Sequence, residues 1–553
     1  MTADSTPWGQ PGPEPSSTGP RARAALRIVV VGFGPVAARL VDELLPAVST
    51  GSIHLTVIGE EEEAAYNRVL VADLGVGRTT AEALQLTDPK ELLTSGVNLI
   101  RNQRVTRVDR ARRRVLLANG TTLNFDRLVL ATGSKAVIPN LTGLNPDPRN
   151  PGLPQGVTTL RTLADAEVLR SAVSAGRRVI VLGGGILGLE AAIAVAEEGA
   201  AATLVFNGPH ALGRNIDRGG GSVLGDALRN SGVALSANAR STGVECDPQT
   251  GAFKALILEA QEGKAESIEG DLLLLSCGVR PNIELAEGAG LPTARGILVD
   301  HRLRAHHEPS IYAIGDCAEV RCPEAKCAEC LHSPGPTGLI GPAWRQAEWL
   351  AQELLSACAG ILDVPGEPQE NIAPERPALI LLKARGVNLA LAGQNMIDPW
   401  DAEALSAGTA PGQPPLSVSQ WADPEHGRYV KMTTRAGVLE GLVCVGMPRT
   451  ASELVMLFER GAELPADRSL LLRLDGAAAS IPTPGGGSAS LNDPAATVCR
   501  CAGVSVQKIG EAAAQGCSSV AEISRATRAG TGCGGCHSDI KTIIEQHFQP
   551  TAA

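Results

Sequence analysis

The sequence predicts an α/β protein with two dinucleotide-binding units, then a small α+β domain and a small cysteine-bearing helical module. Three observations carry this reading. An apolar strand pattern, a glycine-rich turn and a helix pattern occur together from Arg27 to Ala37. The same order returns from Arg178 to Glu198. Near the end of the sequence stand Cys499-Arg-Cys501 and Cys533-Gly-Gly-Cys536. A length of 553 residues is too great for one core and calls for several.

The first unit opens on Ile28 to Val31, four β-branched residues that suit a strand buried on both faces. Gly32, Gly34 and Ala37 then make G-x-G-x-x-A. The first glycine permits a tight turn, the second lets backbone approach a pyrophosphate, and Ala37 is small enough for helix to pack on strand. A second apolar run, His54 to Ile58, ends at Gly59-Glu60. A carboxylate there, 23 residues after Ala37, can accept hydrogen bonds from an adenosine ribose.

Residues 113–117 and 121–125 alternate like two strands about a turn at Asn119-Gly120. Phe125 to Gly133 reads as another buried strand ending in Thr-Gly, and Pro139 to Pro154 as a crossing linker. The second unit follows: strand Arg178–Leu182, loop Gly183-Gly-Gly-Ile-Leu-Gly188, an Ala-rich helix over Leu189–Glu198, and strand Thr203–Phe206. Asp271–Leu275 leads into Cys277-Gly-Val-Arg-Pro281, and Ser310–Ala318 is a short strand ending in an acid, Asp316. Two dinucleotide folds imply two nucleotides.

Further strand patterns at Ala378–Leu382 and Gly441–Val445, and a helix pattern over Thr450–Arg460, mark the α+β domain. The expected division is a disordered tail at 1–25, a first nucleotide domain at 26–150 and 276–360, and a second at 151–275. The α+β domain takes 370–475, a flexible linker containing Gly485–Ser488 takes 476–496, and the cysteine module takes 497–548.

A net charge of −10 argues against a general nucleic-acid binder, which needs a basic face. Aromatics are 3% of the chain, so aliphatic residues must fill its cores. No apolar run approaches membrane-spanning length, and the N-terminal stretch has no signal-peptide character, so a cytoplasmic protein is expected. Thirteen cysteines in that setting point to metal or redox chemistry. None precedes Cys246.

Four thiolates at the C-terminal end suit a [2Fe–2S] cluster or a zinc ion. Cys517 lies outside both motifs and reads as a small core residue. A further group, Cys322, Cys327 and Cys330 with His332, could bind zinc or another cluster, or be a surface loop with reduced cysteines. His301, His306 and His307 read as polar surface residues near a strand end.

The motifs G-F-G-P-V-A, A-Y-N-R-V-L, F-D-R-L-V-L-A-T-G-S, G-G-G-I-L-G-L-E, C-G-V-R-P-N and I-Y-A-I-G-D-C-A cover most of the first 350 residues. With them, residues 26–360 resemble the flavoprotein disulfide reductase superfamily, and within it the flavoprotein half of NAD(P)H-dependent nitrite reductase and assimilatory nitrate reductase electron-transfer subunits. The resemblance implies two Rossmann-like domains. Gly32, Gly34, Pro35 and Ala37 would hold the FAD pyrophosphate, Glu60 the adenosine ribose, and Arg68 would lie near the flavin or pyrophosphate. Thr132 and Gly133 would close over FAD, Asp316 would bind its ribityl or pyrophosphate region, and Pro342–Gln346 would line the flavin. Gly183, Gly185, Gly188 and Glu190 would bind NAD(P)H.

The next strand ends in Phe206-Asn207 where the family often has an acid, with His210 and Arg214 near, so NADH and NADPH both stand. The superfamily's dithiol positions hold no cysteine here, so electrons must leave the flavin another way. The last cysteines, with Thr527-Arg-Ala-Gly-Thr-Gly-Cys533, resemble the bacterioferritin-associated-ferredoxin type, which implies a [2Fe–2S] cluster on Cys499, Cys501, Cys533 and Cys536.

No sirohaem half follows Ala553, so no terminal catalytic site is expected in this sequence. The implied function is an NAD(P)H-oxidising electron-transfer subunit, with FAD and [2Fe–2S] as carriers and the catalytic subunit of assimilatory nitrate reductase as partner. The alternatives are a ferredoxin- or rubredoxin-type reductase for an oxygenase, and a module that docks on bacterioferritin to mobilise iron. Nucleic acid and membrane are not expected partners.

Overall fold

The structure is a computed structural model. It describes residues 25–144, 152–261, 264–323, 327, 330, 335–336, 338–361, 371–372, 377, 379–384, 386–406, 413–475, 491, 494–499, 502–531 and 536–548. The expected tail, the Gly485–Ser488 linker, Cys501, Cys533 and His332 therefore lie outside the described residues.

Strand Leu26–Val31 sits inside an eight-stranded sheet, parallel to Ile53–Ile58 on one side and Arg127–Leu130 on the other. Its inner residues are buried throughout, as a parallel strand covered on both faces requires. The exception, Arg27, is exposed and pairs with Asp126 at 2.8 Å. Beyond Arg127–Leu130 come Glu308–Ala313, Arg304–Ala305, Ile297–Val299 and, at the edge, Ala318–Val320. Helix Pro35–Ser49 and the long helix Ile340–Ile361 pack together, and the Arg39–Glu348 ion pair at 2.6 Å ties them.

The second parallel sheet runs Val233–Ser236, Ala202–Val205, Val179–Leu182, Leu272–Leu275, Val157–Thr159. Its helix begins at Ile186, three residues before the expected start, because Gly185 is already in extended conformation as the N-cap. The two glycine loops obey one steric rule. Gly32 has φ +105°, and a Cβ there would meet the Ala131 carbonyl oxygen at 2.1 Å. Gly183 has φ +128°, and its Cβ would meet the Ser276 carbonyl oxygen at 2.1 Å. In both sheets the first loop turns so tightly against the neighbouring strand end that only glycine fits.

A third sheet is antiparallel, ordered Leu379–Ala384, Val387–Gly393, Val438–Val445, Arg428–Arg435, Leu416–Asp423. Its helix, Pro448–Arg460, starts two residues early because Pro448 suits the first helical position. This sheet shares a core with the second: Leu382, Leu389 and Val443 pack in one cluster with Leu189 and Val195. Across that seam, Lys431, whose side chain is 2% exposed, reaches Asp217 at 2.8 Å, and the Tyr429 hydroxyl donates to the same carboxylate at 2.6 Å.

The C-terminal module has its own small core, including Ile509, Ile523 and Ile540, under helices Val506–Ala514, Val520–Thr527 and His537–Phe548. Cys517 is half-buried against that core, the place expected for it. No helix among the described residues is long and apolar enough to cross a membrane.

Candidate redox site

A cavity of about 1670 Å³ opens between the two parallel sheets, larger than the ~300–1,000 Å³ that suits one small ligand. The first glycine loop supplies Gly32, Gly34, Pro35 and Ala37 to its wall. Gly34 is the N-cap of helix Pro35–Ser49, and the nearest atom to an added Cβ there would be Arg68 Nε at 4.0 Å. The bare backbone at this helix N-terminus therefore faces open space, as a pyrophosphate needs. Glu60 lines the same cavity just past strand Ile53–Ile58.

Arg68 is fixed rather than solvated. It pairs with Glu61, donates to the Arg161 carbonyl at 3.2 Å, and lies 4.7 Å from the Tyr66 ring centroid. Tyr66 in turn donates to Glu61 at 2.7 Å, and burial together with that bond pushes its hydroxyl pKa up. Asp316 sits in a short turn after strand Glu308–Ala313, where it accepts from Ser134 Oγ at 2.7 Å and from Arg161 at 2.8 Å. Thr132 and Gly133 are held by Asn282: its amide donates to the Thr132 carbonyl at 2.8 Å and its backbone N–H to Gly133 at 2.9 Å. No atom lies within 4 Å of where a Gly133 Cβ would stand, so this wall also presents bare backbone.

In the second loop Ile186, Leu187 and Glu190 line the cavity, while Gly183, Gly185 and Gly188 are not among its lining residues. Gly188 packs so closely that a Cβ would meet the Gly183 carbonyl oxygen at 2.1 Å, and Gly185 faces open space. At the adjoining strand end the Phe206 side chain is buried over Gly184. His210 packs on Gly221, with its Nδ1 3.0 Å from the Ala211 carbonyl oxygen.

Sequence reading missed Ser134, Arg161 and Asn282, the residues that hold the expected ones. Ser134 and Asn282 end two of the motifs but were given no role, and Arg161 stands outside all of them. The partners of Arg161 and Asn282 are 155 and 150 residues away, so no local pattern announces the pairing.

No cysteine among the described residues lines this cavity. Cys277, in the C-G-V-R-P stretch, donates to the Leu182 carbonyl, and burial pushes its thiol up to about 11, well away from a nucleophilic thiolate. Cys317 is buried under the sheet and bonded to the Leu130 and Ile314 carbonyls.

The described cluster residues are elsewhere. Cys499 and Cys536 are buried in the C-terminal module, and the Gly530 N–H donates to Cys499 Sγ at 3.5 Å. Backbone amides aimed at sulfur suit an iron–sulfur ligand. The module rests on the flavin-side domain. Asn67, next to the cavity residue Arg68, donates to the Thr531 carbonyl, and Arg528 pairs with Asp42 of helix Pro35–Ser49.

A third group adds a residue to the sequence reading. Among the described residues, the histidine beside Cys322, Cys327 and Cys330 is His301; His332 lies outside the described residues. His301 is half-buried beside the thiols rather than a polar surface residue, and His306 is buried, bonded to the Arg321 carbonyl. The cause is strand register, which a linear reading does not see.

Two parallel sheets with paired glycine loops around one large cavity, and a cysteine module against its rim, define a two-dinucleotide oxidoreductase with a built-in one-electron carrier. Residues 26–330 match the family model described as pyridine nucleotide-disulphide oxidoreductase, and the chain belongs to that family. Residues 497–546 match a BFD-like [2Fe-2S] binding domain. The chain is thus an NAD(P)H-dependent flavoprotein oxidoreductase, with FAD, NAD(P)H and a [2Fe–2S] cluster as its cofactors.

It is 27% identical over 528 residues to a nitrite reductase [NAD(P)H] of Bacillus subtilis, covering 95% of this chain and 58% of the relative. It is 25% identical over 519 residues to an assimilatory nitrate reductase electron transfer subunit of the same organism, covering 94% and 59%. The chain therefore spans a little under three-fifths of these relatives. The fold also matches the crystal structure of a putidaredoxin reductase–putidaredoxin complex, with a TM-score of 0.63 at 22% identity over 83% of this chain and 97% of that one.

Proposed function

We propose that this protein takes electrons from NAD(P)H in the cytoplasm and passes them through FAD and its [2Fe–2S] module to the catalytic subunit of an assimilatory nitrate reductase. The observation that carries the order of transfer is the contact of Asn67 with Thr531, which brings Thr531 of the module next to the cavity residue Arg68. The similarity to a nitrate reductase electron transfer subunit, which extends over the module as well as the flavoprotein part, supports the choice of acceptor.

FAD, when bound, supplies the step that accepts hydride from NAD(P)H and releases electrons one at a time. This chain's own residues do the rest. Gly32, Gly34 and Ala37 present backbone N–H groups to the pyrophosphate, and Pro35, which has no N–H, starts the helix whose N-terminus faces it. Glu60 accepts from the adenosine ribose. Thr132 and Gly133 close the wall, and Asp316, held by Ser134 and Arg161, receives the ribityl hydroxyls. Arg68, clamped by Glu61, keeps positive charge near the ring system. Gly183, Gly185, Gly188 and Glu190 seat NAD(P)H, and Cys499, Cys501, Cys533 and Cys536 hold the cluster. With no cysteine among the described cavity residues, the exit runs to the module rather than to a dithiol.

The test mixes this protein with a purified nitrate reductase catalytic subunit, NADH or NADPH, and nitrate. Nitrite formed only when both proteins are present, and lost on deleting residues 490–553, supports the proposal. Nitrite reduction by this protein alone would overturn it, as would efficient reduction of an oxygenase ferredoxin with no transfer to nitrate reductase.

A further inference from the structure

We propose that His301, Cys322, Cys327 and Cys330 form a structural zinc site, separate from the [2Fe–2S] module, that clasps the edge of the flavin-side sheet. The argument begins with register. Strands Ile297–Val299 and Ala318–Val320 are parallel neighbours, with Val299 opposite Val320, and the Arg321 N–H donates to the Val299 carbonyl at 2.8 Å. His301 is two residues beyond Val299, and Cys322 is two residues beyond Val320. The pairing delivers both side chains to one end of the sheet. Cys327 and Cys330 then come back from the following segment.

The distances are those of one small ion. His301 Nε2 lies 3.3 Å from Cys327 Sγ and 3.3 Å from Cys330 Sγ, and Cys330 Sγ lies 3.4 Å from Cys322 Sγ. All four candidate ligand atoms fall within 4.8 Å of one another. Bond lengths of ~2.3 Å for zinc–sulfur and ~2.0–2.1 Å for zinc–nitrogen put tetrahedral edges at roughly 3.5–3.8 Å. These three edges need only a few tenths of an ångström of expansion to match zinc. A two-iron cluster spreads its four ligands over two metals and would need a wider set.

The donor set agrees. Three sulfurs and one imidazole fill a closed tetrahedron, the composition of structural zinc sites, and leave no position for substrate. The Cys322 N–H donates to Cys330 Sγ at 3.1 Å, a bond from outside the ligand atoms that orients the thiolate. No disulfide joins the three cysteines.

The placement assigns a purpose. Cys330 precedes Gly338 by eight residues, and Gly338, Leu339 and Ile340 line the cavity where helix Ile340–Ile361 begins. The clasp fixes the sheet-side end of the segment that leads from Asp316 to this wall. The zinc is structural, and its loss should loosen FAD retention rather than alter hydride chemistry.

The test uses the full chain, purified anaerobically with its cofactors. Metal analysis should find about one zinc per chain beside about two irons. Zinc X-ray absorption on the unmodified protein should show three sulfur and one nitrogen scatterers. Cys327→Ser should lose the zinc, keep the iron and release FAD at least several-fold faster; His301→Cys should keep zinc with four sulfurs, and Cys517→Ser should change nothing. If Cys327→Ser fails to fold, the absorption measurement still decides. Absence of zinc with these thiols free to alkylate, a Cys322–Cys330 disulfide, or a third iron at this position would each overturn the proposal.

Discussion

Replacing Asp217 by Asn should cost the protein its seam between the second nucleotide sheet and the antiparallel sheet. Lys431 is buried, with 2% of its side chain exposed, and its ammonium finds Asp217 at 2.8 Å. Burial works to raise the Asp217 pKa, but the hydrogen bonds of Lys431 and Tyr429 outweigh it and hold the carboxyl below its usual range. Asn keeps the shape and the cap to the Gly220 N–H, so the helix end is not the variable.

What changes is that a buried ammonium loses its counter-charge, which typically costs about 3–5 kcal/mol. At ~1.36 kcal/mol per factor of ten, that is roughly a 10²–10⁴-fold rise in local opening.

Hydrogen exchange of peptides covering residues 428–445, corrected for intrinsic rates, reads that opening without assuming that the whole chain unfolds at once. The sign with pH is fixed. In the parent protein the depressed carboxyl contributes stability above its unfolded pKa and loses it as pH falls through the folded value. Adding Lys431→Met to Asp217→Asn removes both charges and should restore most of the protection. A less than tenfold change in Asp217→Asn, or a parent protein whose protection here does not fall as pH drops through the carboxylate range, would refute the reasoning.

Gly183→Ala should leave FAD bound and abolish its reduction by NAD(P)H, because the added Cβ meets the Ser276 carbonyl oxygen at 2.1 Å; absorbance at the flavin band before and after NADH reads both. Cys536→Ser should leave NAD(P)H reduction of the flavin within about twofold and stop transfer to the acceptor, as stopped-flow and nitrite assays would record. Arg528→Glu faces Asp42 with like charge and should slow reduction of the cluster at least several-fold, with added salt easing the defect.

Most of the fold was legible because its signals are local. The strands at Leu26–Val31 and Val179–Leu182 announce themselves by buried β-branched and aliphatic runs, and each glycine loop follows within a few residues. What escaped depends on distant pairing. Arg161 meets Asp316 only because the two sheets face one cavity. Lys431 meets Asp217 across 214 residues. His301 joins Cys322 because two strands are in register, a pairing that linear spacing does not reveal. Helix starts were misjudged where Gly185 and Pro448 set the boundary, since apolar periodicity is silent about caps.

The docking of the C-terminal module carries the last step. Its own apolar residues, Ile509, Ile523 and Ile540, are spent on an internal core, so it does not depend on the flavoprotein for a hydrophobic face. Its contacts at Asn67 and Asp42 are polar. Such a surface brings Thr531 next to Arg68 without a shared apolar core. A carrier that must take electrons from one side and deliver them on another needs that weakness. A tight apolar seam like the one around Lys431 would serve it badly. The molecule thus uses two kinds of domain contact: buried charge and shared core where geometry must not change, and a light polar contact where the carrier must be free to leave.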